Sequence, residues 1–287
     1  SVDIQIDGFN LLAQSISFFD SQLVSPFSDA LNRIFEVFHQ MMIQQNDNAF
    51  KISRIIEHII ESNNNSININ QLISIFLQLA QDGNISPNYY FTIFCPLSTL
   101  AEKCSLDQLK PFAGDIMKST ILCISKSLND ECFSEDSLGL YISYLIDSLI
   151  ECMNNEKLFN VALSLLPDNS VNEAYAAAIV FNRFLEFSDS IAIKYSVELA
   201  NRLLKYANSN CSHVVFEASL IALSKLISDA DNKMSAFVDP IIKCCLEAFE
   251  THHEQLIINA LQTLTNAIDN IEFDSSYLEI LIPKITS

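Results

Sequence analysis

Apolar residues recur at helical spacing along nearly the whole chain, and this pattern limits the fold more than any other feature. Ile55, Ile56, Ile59 and Ile60 form one such run. Residues three and four positions apart lie on one face of a helix, so each run predicts an amphipathic helix. Short polar breaks separate the runs, and most offer Ser, Asp or Asn as the N-cap of the next helix. The sequence therefore predicts an all-α fold of about fourteen helices.

Four prolines recur with one period. Pro26, Pro111, Pro240 and Pro283 are separated by 85, 129 and 43 residues, close to two, three and one times 43. A proline within a helix removes a hydrogen bond and kinks the helix, so its recurrence in one register requires a common local geometry. Repetition at a fixed period of this size is typical of arrays of helical hairpins.

The helices that alternate with these prolines repeat with nearly the same period. The apolar pattern of residues 215–226 returns 44 residues earlier and 42 residues later. Small side chains at the repeated positions let neighbouring helices approach closely, so we expect Ala178 and Ala218 to be buried at helix contacts. Because two independent sets of residues agree on the period, chance is the weaker explanation.

A Pro-containing first helix followed by a V-x-x-A-x-x-x-A-L second helix, repeated about every 40 residues, resembles the HEAT repeat. The resemblance covers nearly the whole chain and is strongest over residues 171–285. It implies an α-α superhelix, a HEAT/armadillo-like solenoid of about seven helical hairpins, with an outer layer of A helices and an inner layer of B helices. Since the sequence starts at Ser1 and neither end looks like a polar capping repeat, we expect residues 1–287 to be a single solenoid segment of a longer chain.

The repeat assigns each predicted helix to one of the two layers. A helices are expected at residues 27–45, 68–82, 106–128, 156–166, 189–207, 233–250 and 275–286. B helices are expected at residues 7–19, 47–61, 86–103, 134–153, 171–186, 210–228 and 252–270.

Charge and cysteine content narrow the possible partners. The formal net charge is −19, which argues against nucleic-acid binding by a basic patch and against a polybasic membrane anchor. An acidic surface attracts basic partners. The alternative is that the acidic residues only keep an apolar chain in solution. The 8 cysteines contain no C-x-x-C pair, and we expect reduced core thiols in a cytoplasmic and nuclear protein. No apolar stretch approaches the roughly 20 residues that insertion into a membrane requires.

The sequence contains no pattern that carries catalysis. None of the five histidines lies in a spaced metal motif, and no phosphate loop or nucleophile motif occurs. His252 and His253 follow Cys244 and Cys245 closely, but surface histidines and core thiols explain these residues better than a metal site. We expect neither an enzyme nor a cofactor.

The predicted helix around residue 218 has an open side on which a partner can bind. At about 100° per residue, Val215, Ala218, Ala222 and Leu226 share the buried side. His213, Glu217, Leu220 and Ser224 lie opposite. The repeat aligns Glu173 and Asn259 with Glu217, and Val180 and Asn266 with Ser224. The candidate protein-binding face of the B helices is therefore His213, Glu173, Glu217, Asn259, Ser224 and Asn266, and the alternative is a solvated face without a ligand.

Among HEAT proteins, the acidic balance, the long continuous array and the A helix that begins Leu109-Lys110-Pro111-Phe112 are similar to the importin-β (karyopherin-β) receptors. The resemblance implies cargo, here basic cargo, on the B helices, together with binding of the small GTPase Ran and of Phe-Gly nucleoporins. Importin-α is disfavoured because its array uses repeated Trp, which this chain lacks. The alternative is a structural HEAT scaffold, such as a phosphatase scaffold subunit, a vesicle-coat adaptor subunit or a chromosome-complex regulator.

Overall fold

A computed structural model describes residues 2–15, 24–62, 68–128, 138–153, 155–166, 170–271 and 276–285. Over these ranges the backbone forms helices joined by short turns, and it contains no strand. The all-α prediction is therefore confirmed for the part of the chain that is described.

The chain divides into two compact units, Ser1–Met153 (unit 1) and Asn154–Ser287 (unit 2). The helices of unit 1 are α1 (Val2–Ser15), α2 (Val24–Ile43), α3 (Asn48–Glu61), α4 (Ile69–Gln81), α5 (Tyr90–Lys103), α6 (Leu106–Leu109), α7 (Ala113–Lys126) and α8 (Leu138–Cys152). The helices of unit 2 are α9 (Asn155–Leu165), α10 (Val171–Phe187), α11 (Asp189–Tyr206), α12 (His213–Asp229), α13 (Val238–Glu250), α14 (Glu254–Asn270) and α15 (Ser276–Ile285). The prediction of one solenoid segment over 1–287 stays a prediction.

In unit 1 the helices lie in two rows. Helices α1, α3, α5 and α8 pack side by side in chain order and form the row predicted for B helices. Helices α2, α4 and α7 form the row predicted for A helices, and each packs against the B helix that follows it in the sequence. The rows are called the A row and the B row below.

Unit 2 has the same arrangement of rows. Its B row consists of α10, α12 and α14, which pack against one another in chain order. Helices α11, α13 and α15 follow one another in its A row. Helix α9 joins this row, because the Tyr195 hydroxyl of α11 donates to Oδ1 of Asn160 at 2.9 Å. Neighbouring helices in the sequence therefore belong to alternate rows in each unit.

Hydrogen bonds between neighbours in a row span about one repeat of the sequence. In unit 1, Ser53 Oγ donates to the Thr92 carbonyl at 2.8 Å across 39 residues. In unit 2, Asn266 Nδ2 donates to the Ser224 carbonyl at 3.0 Å across 42 residues. Side-chain contacts thus join each helix to the helix one repeat away, as the period of the sequence predicts.

The helix bounds follow the predicted ranges closely, and the differences are the start of α1 and three short 3-10 helices. Two of these, Pro87–Tyr89 and Asp231–Phe237, lie at the starts of ranges predicted as helix and precede α5 and α13. Helix α1 begins at Val2 instead of residue 7, and Gly8 lies within the helix with open space at the position of a Cβ. Residues 16–19 and 134–137, which were predicted as helical, lie outside the described residues. The predicted helix over 106–128 is interrupted by a short 3-10 turn, Lys110–Phe112, that contains Pro111.

The four periodic prolines occupy the predicted row. Pro26 lies in α2, Pro111 in the turn before α7, Pro240 in the first turn of α13 and Pro283 in α15. However, Pro96 lies inside α5, a helix of the B row. Proline alone therefore does not distinguish the rows, and the register depends on the alanines as well.

Burial on α12 differs in part from the expectation. Val215, Ala222 and Leu226 are fully buried, as is Ala178 on α10, but Ala218 is only half-buried. Leu220 and Ser224, expected on the open side, are buried. The reason is that α12 has neighbours on several sides, α10 and α14 in its own row and α11 in the other, so its buried arc is wider than a single stripe.

Candidate functional site

The structure brings together three of the six residues predicted for the binding face. Ser224, Asn259 and Asn266 line one open groove on the B row of unit 2. Glu173 lies beside a separate small cavity, and His213, which is exposed, contacts another histidine with the two rings tilted. The sixth residue, Glu217, is half-buried on α12. The predicted face is therefore distributed over the B row, and its part at α12 and α14 forms a site.

The groove runs over α12 between α10 and α14 and has a volume of about 280 Å³. Seven of its eight lining residues have polar side chains, and four of these are carboxamides. We call it the carboxamide groove, and it is lined by Asn182, Glu186, Ile221, Ser224, Lys225, Asn259, Gln262 and Asn266.

Asn266 is fixed by hydrogen bonds to the neighbouring helix. Its Nδ2 donates to both the carbonyl oxygen and Oγ of Ser224, each at 3.0 Å. Its Oδ1 accepts from Nε2 of Gln262, one turn earlier on α14, at 3.1 Å. Asn266 therefore ties α14 to α12 and orients Gln262 along the groove wall.

Asn259 differs from Asn266 in how its amide is used. Its Oδ1 accepts a long hydrogen bond of 3.5 Å from Gln255 Nε2. Its Nδ2 is buried and has no hydrogen-bond partner in the protein. A buried donor without an acceptor costs about 1–3 kcal/mol, and such groups are few in native proteins. Asn259 therefore presents a donor for which the protein itself supplies no acceptor.

The charged side chains of the groove are paired within their own helices. Glu186 accepts from Asn182 Nδ2 at 3.1 Å and forms an ion pair with Arg183. Lys225 forms an ion pair with Asp229 at 3.1 Å. Because one acid and one base line the groove and each has an opposite charge beside it, the groove is electrically close to neutral.

The second cavity of unit 2 is too small for an organic ligand. Its volume of about 10 Å³, between α10, α11 and α12, corresponds to a single water molecule. Arg202 lines it and donates to the Leu166 carbonyl at 3.0 Å, while Ser219 contributes a buried hydroxyl without a partner. Glu173 lies at this cavity, so the sequence prediction that it belongs to the binding face depends on its charge and not on a pocket.

Two histidines meet at the N-terminal ends of α12 and α14. The rings of His213 and His253 have centroids 4.7 Å apart. Within the ranges given above, no three His, Cys, Asp or Glu side chains are grouped so that they could hold a metal ion. The seven described cysteines, Cys244 and Cys245 among them, are free thiols.

The B row of unit 1 contains a polar cluster of a different kind. Cys95 Sγ on α5 donates to Glu57 Oε1 on α3 at 3.0 Å, and Arg54 donates to Oε2 of the same carboxylate at 2.8 Å. Burial, with the hydrogen bond to Glu57 second, raises the pKa of the Cys95 thiol to about 12. We call this group the Glu57 cluster, and its members are Arg54, Glu57, Cys95, Thr99 and Tyr141.

Sequence reasoning missed five of the eight residues that line the groove. It did not select Asn182, Glu186, Ile221, Lys225 or Gln262. The signal was present on α14, where Asn259, Gln262 and Asn266 are spaced three and four residues apart and so lie on one helix face. A search for carboxamides at helical spacing on consecutive B helices would have found it.

These features define a class of protein: an all-α chain whose helices form two rows in each unit, with a polar groove on the B row of unit 2. No family model matches the chain, and no curated protein matches it either. None of the helices in the described ranges is both long enough and apolar enough to cross a membrane.

Proposed function

We propose that this protein is a HEAT-type helical scaffold that binds other proteins through the B row of unit 2. The observation that carries the proposal is the carboxamide groove, which is open, crosses three successive helices of the B row and has seven polar side chains in its lining. Extended surfaces made by rows of repeated helices are the usual binding sites of repeat proteins.

The solenoid architecture is part of this proposal. Its support is that neighbouring helices alternate between two rows in each unit and that hydrogen bonds within a row join residues about one repeat apart. In a solenoid each repeat contacts only its neighbours, and both observations agree with that rule.

The finer proposal is a segment of an importin-β-like receptor that carries basic cargo between cytoplasm and nucleus and also binds Ran and Phe-Gly nucleoporins. Its support is the net charge of −19 together with acids on the B row of unit 2, among them Glu173 on α10 and Glu217 on α12. A strongly acidic chain attracts basic segments and accelerates their encounter.

A charge-reversal experiment tests the contribution of these acids. A basic peptide is titrated against the protein and against the Glu173→Lys, Glu217→Lys double variant. The matched control is Glu36→Lys with Glu61→Lys, which makes the same charge change on exposed acids of unit 1. The B-row variant is expected to bind several-fold more weakly, at about 0.2–1 kcal/mol per contact, and the control to bind nearly as the wild type. Equal weakening by both variants would contradict a site on unit 2.

A second titration separates a transport receptor from a structural scaffold. A Phe-Gly repeat peptide should bind to a transport receptor through apolar pockets between A helices, so the Glu173→Lys, Glu217→Lys variant should bind it as the wild type does. If the protein does not bind Phe-Gly peptide at any salt concentration, the transport proposal is wrong and the structural HEAT scaffold takes its place.

A further inference from the structure

Two half-exposed cysteines end neighbouring helices of the B row in unit 1. Cys104 directly follows α5, and Cys152 is the last residue of α8. Of the seven described cysteines, these two and Cys211 of unit 2 are half-exposed, and the other four are buried. Since a thiol must be accessible to react with an oxidant, Cys104 and Cys152 are the only described cysteines within one unit that can both do so.

The packing of α5 against α8 places these two residues at the same level. Phe91 and Cys95 of α5 both interact with Tyr141 of α8, which follows them by 50 and 46 residues in the chain. Cys152 follows Cys104 by 48 residues, in the middle of that range. Because residues of a helix rise by about 1.5 Å each, this offset keeps the two cysteines level with each other at the ends of their helices.

The chain that leaves α5 also runs towards α8. The backbone at Cys104 is extended, with φ −75° and ψ 149°, and leads through Ser105 into α6, which packs against α8. Burial first and the neighbouring Cys152 thiol second raise the pKa of the Cys104 thiol to about 11. The second cause requires that the two sulfur atoms be close enough for the charge of one to act on the other.

We propose that Cys104 and Cys152 form a disulfide under oxidising conditions and that this bond fastens the end of α5 to the end of α8. The structure shows the reduced form, since both are free thiols. The bond closes a loop across a separation of 48 residues, and such a cross-link stabilises the fold by restricting the unfolded chain. The proposal does not depend on protein binding by unit 2, because both cysteines lie in unit 1.

The oxidant is a small-molecule disulfide such as oxidised glutathione. The thiolate of one cysteine attacks a glutathione sulfur, forms a mixed disulfide and releases one reduced glutathione. The thiolate of the other cysteine then attacks the protein sulfur of the mixed disulfide and releases the second glutathione. The protein thereby loses two thiol protons and two electrons, which the two reduced glutathione molecules carry away.

The protonation of the two thiols sets the speed of this exchange. Burial, with Glu151 second, raises the pKa of Cys152 as well. Both thiols are therefore mostly protonated at neutral pH, and only the thiolate attacks a disulfide. Formation of the bond should accelerate as pH rises from 7 to 9.

The test maps the disulfide in the full chain after equilibration with reduced and oxidised glutathione. Remaining thiols are blocked with N-ethylmaleimide, and tryptic peptides are identified by mass spectrometry. Cys132, outside the described residues, shares the tryptic peptide 127–157 with Cys152, so the Cys132→Ser variant is used to make the assignment unambiguous. We expect peptides 104–118 and 127–157 to be linked, and the Tm of the oxidised protein to lie about 5–10 °C above that of the reduced protein.

Variants of the cysteines provide the matched comparison. In the same background, Cys104→Ser and Cys152→Ser should each lose both the linked peptides and the difference in Tm between oxidised and reduced protein. The control is Cys211→Ser, which removes a half-exposed thiol of unit 2. This control should keep the linked peptides and the difference in Tm.

The remaining outcomes contradict the proposal. Separate glutathione adducts on Cys104 and Cys152 without linked peptides would show that the two sulfur atoms do not meet. A link from either residue to another cysteine, or no oxidation of either, would overturn the proposal as well. Linked peptides without a higher Tm would show that the bond does not fasten the helices.

Discussion

The B rows of the two units carry polar clusters that are built from similar residues but completed differently. In the Glu57 cluster, a carboxylate that is only 13% exposed accepts from Arg54 on its own helix and from Cys95 and Thr99 on the next one. In the carboxamide groove, Nδ2 of Asn266 donates two hydrogen bonds to Ser224, whereas Nδ2 of Asn259, two turns earlier on the same helix, has no acceptor in the protein. The comparison teaches that a cluster whose members complete one another holds helices together, and the proposal is that the open groove of unit 2 binds a partner instead.

Aromatic residues around the Glu57 cluster also join its helices. The Arg54 guanidinium lies over the Phe91 ring at 5.4 Å, and Phe91 meets Tyr141 edge to face at 5.4 Å. The hydrogen bond to Glu57 is the main cause of a raised pKa for Arg54. Three helices of the B row, α3, α5 and α8, are therefore joined through one group of side chains.

The largest effect is expected when the Glu57 cluster is broken. Glu57→Ala removes the acceptor shared by Arg54, Cys95 and Thr99. Of these donors, Cys95 is buried and Thr99 is half-buried. The free energy of unfolding should fall by about 1.5–3 kcal/mol, the range for hydrogen bonds to charged groups. Urea denaturation measures it. The control, Glu61→Ala on the same helix, removes an exposed acid and should change the value by less than about 0.5 kcal/mol. A loss no larger than that of the control would show that the cluster is not structural.

A smaller effect, opposite in sign for two neighbouring residues, is expected in the carboxamide groove. Asn266→Ala removes two hydrogen bonds to Ser224 and should lower the free energy of unfolding by about 0.5–1.5 kcal/mol. Asn259→Ala removes an unpaired donor and should leave stability unchanged or raise it. Thermal melts of both variants in one buffer make the comparison. Equal destabilisation would mean that the two amides are used alike.

What the sequence predicts depends on how far apart in the chain the interacting residues are. Helix positions could be predicted, because they follow from local apolar spacing and from caps. One such cap is the Asn68 side chain, which accepts from the main-chain N–H of Gln71 at 3.2 Å. The open face of α12 could not be derived from one helix, because Leu220 and Ser224 are covered by neighbours one repeat away. Likewise Asn259 and Asn266 look equivalent in the sequence, and only the position of Ser224 makes them different.

The last effect depends on pH: it is small at pH 9, grows above it, and concerns the thiol of the Glu57 cluster. The folded protein holds the pKa of Cys95 at about 12 against an ordinary value of 9.0, mainly through burial. Between these two values the unfolded chain loses the thiol proton and the folded chain keeps it, so stability present below pH 9 declines as pH rises. Cys95→Ser keeps a donor for Glu57 and does not titrate in this range, so its stability should decline less. Urea denaturation at pH 8, 9, 10 and 11 follows both proteins, and parallel curves would contradict a buried thiol at this site.

Hydrogen exchange of the main-chain amides, with and without an eight-residue peptide of alternating lysine and alanine, tests the central claim most directly. The claim is that the incomplete cluster of unit 2 binds and the completed cluster of unit 1 does not. Bound peptide should therefore slow exchange in α10, α12 and α14 and leave α3 and α5 unchanged. Slowed exchange in α3 and α5, with none in the B row of unit 2, would contradict the account.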